Sequence, residues 1–230
     1  MESIFDRTIG LISLEKFQII QDKVILIAGL GGVGGTSFEA LLRTGFKHFV
    51  LIDFDQINPS NLNRQILYKY DDIGQYKVDV AKKHALEINK EIDIKTYCLK
   101  ISEENIKDLP KVDYIVDAID DIKGKISLAK FAHINNIPII VSLGMAMRND
   151  PTQLSIMRLD KTTIDPLARK LRYEIKKEGL STKNIFAVIS KETPLPFKDK
   201  LYSSMMVPSA CGLTIASHVL KHFIEGVNKE

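Results

Sequence analysis

Residues 24–28, Val-Ile-Leu-Ile-Ala, run straight into Gly29-Leu30-Gly31-Gly32-Val33-Gly34, and this junction restricts the fold more than any other feature of the chain. Five consecutive apolar residues lack the alternation of a strand with one wet face. They suit a strand covered on both sides, as in a parallel sheet with crossover helices. After the glycines, Phe38, Leu41 and Leu42 fall at helical spacing over residues 36–44, and Gly45 stands just past the end as a stop signal. Strand, G-x-G-x-x-G and helix form a unit that cradles phosphate. The glycines let the backbone turn tightly and approach anionic oxygens, and the helix N-terminus offers unpaired N–H groups and positive potential. Gly29, Gly31, Gly32, Val33 and Gly34 are therefore candidate nucleotide-binding residues.

The same rhythm continues. Residues 49–52 read as a second buried strand closing on Asp53, 78–89 as a helix, 92–99 as an alternating strand and 114–116 as a buried strand ending at Asp117. Residues 125–134 read as a helix and 138–141 as a further strand. Strands alternating with helices at this spacing predict an α/β fold, a Rossmann-like, doubly wound, mainly parallel sheet with its ligand crevice at the carboxyl ends of the strands. Beyond about residue 144 the pattern changes: strand 153–157, basic amphipathic helix 165–178, strand 185–189, a loop at 193–202 with Pro194 and Pro196, and a closing helix at 210–223. We expect an ATP-binding, adenylation core at 1–143 and a substrate-facing C-terminal lobe at 144–230, an α+β extension that continues the same domain.

Composition removes several classes. Two cysteines, Cys98 and Cys211, permit neither a disulfide framework nor a four-thiolate zinc site, so no zinc is expected and both are read as small buried apolar residues. His218 and His222 lie four apart, but without a third ligand or a nearby Glu the spacing reads as coincidence. Residues 1–10 carry Glu2 and Asp6 and no apolar run, which does not suit a signal peptide. The apolar stretch 205–220 is interrupted by Pro208, Ser209, Ser217 and His218 and falls short of the ~20 residues a spanning helix needs, so the chain is read as cytoplasmic, with no membrane partner. Net charge of +3 implies no partner by itself, yet residues 158–200 hold 11 Lys or Arg against 6 Asp or Glu. That excess could face an anionic polymer; on composition alone, a solvated helical surface is the favoured reading.

Asp53 follows Gly29 by 24 positions, at the end of the second strand, where an acid accepts hydrogen bonds from ribose hydroxyls. Up to this point an NAD-dependent oxidoreductase would be the default. The following residues change the reading: Asp53-Phe54-Asp55, Ser60-Asn61-Leu62-Asn63-Arg64-Gln65 and Gly74-Gln75-Tyr76-Lys77 surround the same crevice with polar and cationic groups. Hydride transfer has little use for such cations. Breaking a triphosphate does, because charge builds on the α-phosphate and on departing pyrophosphate. The bland alternatives are a solvated helix-start lysine at 77, a loop salt-bridge partner at 64 and a strand-end cap at Asp117.

Gly29–Gly35, Asp53-Phe54-Asp55, Asn61-Leu62-Asn63-Arg64-Gln65, Lys77 and Asp117-Ala118-Ile119-Asp120 together resemble the superfamily of ubiquitin-activating-type adenylyltransferases. The resemblance implies ATP and magnesium as cofactors. It places Gly32 beside the nucleotide, Asp53 on the ribose, and Arg64 and Lys77 on the triphosphate. Asp120 (in preference to its neighbour Asp121) becomes the magnesium-associated carboxylate, and Asp55, Asn61, Asn63 and Gln65 belong to the ATP-side loop. Gly35 departs from the Ser often found there, which removes one possible hydroxyl contact.

Outside the shared nucleotide motifs the chain resembles the bacterial tRNA threonylcarbamoyladenosine dehydratase family in Phe5-Asp6-Arg7-Thr8 with Leu11-Ile12, Asp150-Pro151-Thr152-Gln153, Lys161–Arg169, and Val207-Pro208-Ser209 with Gly212-Leu213 and Ala216-Ser217. That family adenylates the threonyl carboxylate of the modified adenosine beside the anticodon; the carbamoyl group of the same nucleoside then closes a ring and expels AMP. Residues 144–204 contain no cysteine, so a thioester relay there is excluded, and an intramolecular nucleophile removes the need for one. The resemblance further implies tRNA as substrate, a homodimer in which Arg7 could reach the neighbour's ATP, and possible sulfur-transfer accessory proteins. Arg169, Lys170, Arg172, Lys176 and Lys177 on the predicted helix 165–178 are the candidate nucleic-acid contacts. The competing expectation is an adenylyltransferase acting on the C-terminus of a ubiquitin-like sulfur carrier.

Overall fold

The central strand β1 (Val24–Ala28) pairs in parallel with both β2 (His48–Ile52) and β4 (Tyr114–Asp117). The structure is a computed structural model that describes residues 3–163, 165–196 and 199–226; Glu2, Ile164 and Lys198, used in reading the sequence, lie outside the described residues. With β3 (Asp93–Tyr97), β5 (Ile139–Ser142), β6 (Leu154–Arg158) and β7 (Ile185–Ser190), one seven-stranded sheet runs in the order β3-β2-β1-β4-β5-β7-β6. Only β6 is antiparallel. The chain reverses direction across the sheet at β1, and the loops following β1, β2 and β4 open at one edge.

Strand alternation divides the core in two. Ile25 and Ile27 face a cluster built with α1 (Asp6–Ile12), α2 (Leu14–Gln21), α3 (Gly32–Thr44) and α4 (Lys77–Ile88). Leu26 and Ala28 face a second cluster under α5 (Ile122–Ile134) and α6 (Pro166–Lys177). The last helix, α7 (Met206–Glu225), returns to the first face and packs on α3. Their approach is close: a Cβ added at Gly212 would lie 2.5 Å from the Val33 carbonyl.

Beyond residue 144 the sheet continues unbroken, β7 adding in parallel to β5 and carrying β6 on its outer side. Several elements depart from the expectations. Helix α7 begins four residues before 210, with Pro208 in its first turn, where a missing N–H leaves nothing unpaired. Helix α5 begins three residues before 125 because the Asp121 side chain caps it, accepting the Gly124 N–H at 2.8 Å. Strand β3 ends at Tyr97, so Cys98 is exposed instead of buried, whereas Cys211 is buried in α7 and burial pushes its thiol up to about 12. Among the described residues no helix is long and apolar enough to cross a membrane.

The paired histidines of α7 are packing residues. His218 is buried with its ring 4.7 Å from that of Phe186, and His222 lies 5.0 Å from Tyr114, centroid to centroid. Burial is the main force lowering His218 from 6.5 to about 4. The unfolded chain therefore takes up this proton first as pH falls. The stability His218 provides is full above pH 6.5 and is lost on descent toward 4, by up to about 3 kcal/mol. Urea unfolding at stepped pH should show this fall, and His218→Leu should flatten it; an equally steep profile in the variant would dismiss His218 as its cause.

Candidate nucleotide site

A cavity of about 350 Å³ opens at the carboxyl ends of β1, β2 and β4, over the N-terminus of α3. Its floor is the glycine turn. Gly29 takes φ +86°, a left-handed conformation, and a Cβ there would meet the Ala118 carbonyl at 2.8 Å, so the β4 turn presses directly on it. Its N–H donates to the Ile52 carbonyl at 2.8 Å, fixing where the turn leaves the sheet. Gly31 and Gly32 line the cavity at the start of a 13-residue helix, whose first N–H groups and dipole favour an anion.

Asp53 is buried at the end of β2 and braces this turn: Oδ2 accepts the Leu30 N–H at 2.7 Å and Oδ1 the Asp55 N–H at 2.9 Å. Each oxygen keeps a lone pair with which to accept a ribose hydroxyl. Burial raises the Asp53 carboxyl against the opposing pull of Lys77. Residues 55–57 pair with 74–77 as a short ribbon, through Ile57 N–H to Gln75 O at 2.9 Å and Lys77 N–H to Asp55 O at 3.1 Å. That ribbon carries Lys77, the first residue of α4, back to the end of β2. Its ammonium is 2.7 Å from Asp55 and 3.8 Å from Asp53, and only 5% of the residue is exposed. Lys77 is thus a buried cation of the cavity wall, not the open-crevice group its position at a helix start suggests.

Arg64 lines the cavity beside Gly32, half-buried. Its guanidinium donates to the Ser60 carbonyl at 2.7 Å and to Asn63 Oδ1 at 2.9 Å. Asn61 closes the preceding turn by accepting the Asn58 N–H at 3.0 Å. Gln65 is buried beside Gly31, and its carbonyl oxygen has no hydrogen-bond partner among the described residues. Leu99, Ile101 and Ile119 add an apolar wall, and Lys100 lines the cavity with its ammonium 5.9 Å from the Phe54 ring centre.

The β4 turn contributes two acids. Both acids line the cavity: Asp121 caps α5 through Oδ2, and Asp120 is exposed. Magnesium is commonly held by one or two carboxylates plus substrate phosphates. Asp120 fits that mode, and among the described residues no cluster of three or more His, Cys, Asp or Glu could hold a metal with protein ligands alone.

The pattern that joins these groups in sequence extends far outside the cavity. The family model for the ThiF family matches residues 5–226. The chain belongs to the ThiF family. A relative, the tRNA threonylcarbamoyladenosine dehydratase of Bacillus subtilis, is 30% identical over 97% of this chain and 95% of its own length. The enzyme of that name from Escherichia coli is 35% identical over 78% of this chain and 68% of its own. The crystal structure of E. coli tRNA N6-threonylcarbamoyladenosine dehydratase, TcdA, in complex with ATP superposes with a TM-score of 0.91 at 31% identity, covering 96% of this chain and 94% of that one.

Within this ThiF-family fold the expected residues separate. The cavity gathers Gly29, Gly31, Gly32, Asp53, Asp55, Asn61, Arg64, Gln65, Lys77 and Asp120. Val33 and Gly34 lie outside its lining. Gly34 faces the turn itself, where a Cβ would be 1.8 Å from the Gly29 carbonyl, so it serves helix-to-turn packing; Val33 packs against the core. Asn63 is not in the lining either: its amide donates to the Ser203 carbonyl at 2.9 Å, tying the Arg64 turn to the segment before α7. Arg7 is exposed on α1 and does not line the cavity of its own chain. The sequence did not reveal a buried ion pair beneath the β4 turn, Lys125 with Asp117, neither of which lines the cavity. Both side chains are fully buried, with Lys125 Nζ 2.9 Å from Asp117 Oδ1 and 3.0 Å from the Ser142 carbonyl. Burial raises the Asp117 carboxyl despite this partner. The signal was a lone lysine on a helix face otherwise occupied by Gly124, Leu128 and Ala132.

Proposed function

We propose that the chain uses ATP to adenylate the threonyl carboxylate of threonylcarbamoyladenosine in tRNA and then cyclises that nucleoside with loss of AMP. The observation carrying this reading is the convergence of the glycine turn, Asp53, Lys77 and Arg64 on one cavity at the α3 N-terminus. Similarity over nearly the whole length to enzymes of that name supports the choice of acid.

The chemistry follows from these groups. The first N–H groups of α3 receive phosphate, and Asp53 holds the ribose. Lys77 has three donors; Asp55 accepts one at 2.7 Å, Asp53 lies at 3.8 Å, and two donors remain for phosphate oxygens. Arg64 lines the same cavity as a second cation. When the carboxylate oxygen attacks the α-phosphorus, the bond to pyrophosphate breaks, and fixed cations stabilise the charge gained by the leaving group. Magnesium held through Asp120 would supply further charge neutralisation there. The carbamoyl group of the same nucleoside then attacks the acyl carbon, AMP leaves, and a five-membered ring closes; water is formally lost. Being intramolecular, this step requires no protein nucleophile. Residues 144–204 contain no cysteine, which disfavours the carrier-protein alternative.

We infer the finer features on the same footing: action in the cytoplasm where tRNA is found, a homodimer in which Arg7 serves the neighbour's cavity, and sulfur-transfer proteins as accessory partners. ATP–pyrophosphate exchange tests the substrate. Exchange should appear with bulk tRNA and not with a carrier protein ending in Gly-Gly. The reverse dependence would overturn the assignment.

A further inference from the structure

The outward side of α6 carries four exposed cations around one aromatic ring, with a single acid, Glu174, half-buried among them. Arg169, Tyr173 and Lys176 occupy successive turns of one stripe, with Lys170 and Lys177 beside it, and all five are exposed. Tyr173 is 65% exposed, although nothing in the core requires a large ring on this side; Ala168, Leu171 and Ile175 alone make the buried face. Glu174, one turn from Lys170 and from Lys177, forms no salt bridge among the described residues. Glu178 is bound by Lys130 at 2.6 Å, and among the described residues none of the four exposed cations forms a salt bridge. Arg172 does not belong to the face: its guanidinium turns back to the Thr162 hydroxyl, which is a correction to its expected role.

The direction of the helix adds a second constraint. Its cap, Asp165, lies 3.8 Å from Arg148, and a Cβ at Gly144, two residues past β5, would be 3.5 Å from the Asp165 carboxylate. Helix α6 therefore starts at the same sheet edge as the nucleotide cavity and runs away from it, since β7 re-enters the sheet parallel to β5. It packs on α5, whose capping Asp121 lines the cavity. From Arg169 to Lys177 the rise is about 12 Å, the span of two or three phosphates. Exposed cations along a helix answer the phosphate backbone, and an exposed ring among them provides a stacking surface for an unpaired base.

We infer that this face of α6 is the RNA-docking track, with Arg169 nearest the reacting nucleoside, Tyr173 stacking on an unpaired base and Lys170, Lys176 and Lys177 following the backbone away from the crevice. The inference rests on tRNA being the substrate and goes further by assigning where it lies. Binding of unmodified bulk tRNA is measured by filter retention at stepped salt for wild type, Tyr173→Leu, the pair Lys176→Gln/Lys177→Gln, and Arg172→Gln. The lysine pair should lower the slope of log affinity against log salt by roughly 0.7–0.9 per charge removed. Tyr173→Leu should weaken binding about fivefold or more with the slope unchanged. Arg172→Gln should leave the slope at the wild-type value. If wild type binds tRNA and both face variants match it in affinity and slope, the track is wrong while the substrate assignment stands; if wild type itself does not bind tRNA, the substrate assignment fails first.

Discussion

Replacing Lys77 by alanine is expected to reduce ATP–pyrophosphate exchange by roughly two to three orders of magnitude, the usual loss when one fixed donor to a developing charge is removed. It should also destabilise the protein, which a solvated lysine would not do. The ammonium is shared by Asp55 at 2.7 Å and the buried Asp53 at 3.8 Å, and its removal leaves two carboxylates facing each other beside the glycine turn. The pH dependence carries a definite sign. Burial already raises Asp53 in the folded state, so folding favours its protonated form and this contribution to stability is lost as pH rises from 3.8 through the folded value. Without Lys77 that folded value rises further, and the variant should lose more stability relative to wild type at pH 8 than at pH 5. Arg64→Ala is the contrast: its half-buried guanidinium is held by Ser60 and Asn63, so exchange should collapse with the unfolding midpoint nearly unchanged. A Lys77→Ala protein as stable and as active as wild type would remove this residue from both roles.

The outline of the fold was legible because its signals are local. Val24–Ala28, the glycine turn and Gly45 declare strand, phosphate turn and helix end within a single stretch, and Gly45 does close α3 in the left-handed conformation. The first two helices were not foreseen. Helix α1 is only seven residues long, and α2 buries just Phe17 and Ile20, too few apolar positions for a periodic pattern to stand out. Packing against α7 holds α2 in place, and that is information from the far end of the chain.

The site was legible to the extent that its residues come from contiguous motifs. Asp53, Arg64 and Asp120 could be named from their neighbours in sequence. What sequence concealed were the relations between segments. Gly34 satisfies the glycine pattern but spends its missing side chain on the Gly29 carbonyl, and Asn63 reaches across 140 positions to Ser203. Arg172 reads as one more base in a basic helix until its partner Thr162 is seen on the preceding loop. Residue type and spacing report what a group can do; its burial and its partner, which decide whether it faces ligand or core, depend on tertiary contact.

Lys125→Met should produce the largest loss of stability of any single change considered, about 3–5 kcal/mol, because it strands a buried carboxylate. Asp117 and Lys125 are both wholly removed from water, and Asp117 Oδ2 already lacks a partner among the described residues. The lysine also donates to the Ser142 carbonyl, so one ammonium joins the ends of β4 and β5 to α5. Replacing both partners by apolar residues removes the stranded charge, and Lys125→Met with Asp117→Leu should recover much of the loss. The sign with pH again identifies the cause: protonation relieves the stranded acid, so the single variant should be least impaired at low pH and worsen as pH rises. Function should not return with stability. The turn that Asp117 begins carries Ala118, pressed against Gly29, and Asp120, which lines the cavity, and without the ion pair its position is no longer fixed. The double variant, folded by urea titration, should therefore remain well below wild type in ATP–pyrophosphate exchange. A single variant within about 1 kcal/mol of wild type would show that water or a rearranged neighbour compensates Asp117, and full exchange activity in the double variant would show that the glycine turn sets the geometry of the β4 turn unaided.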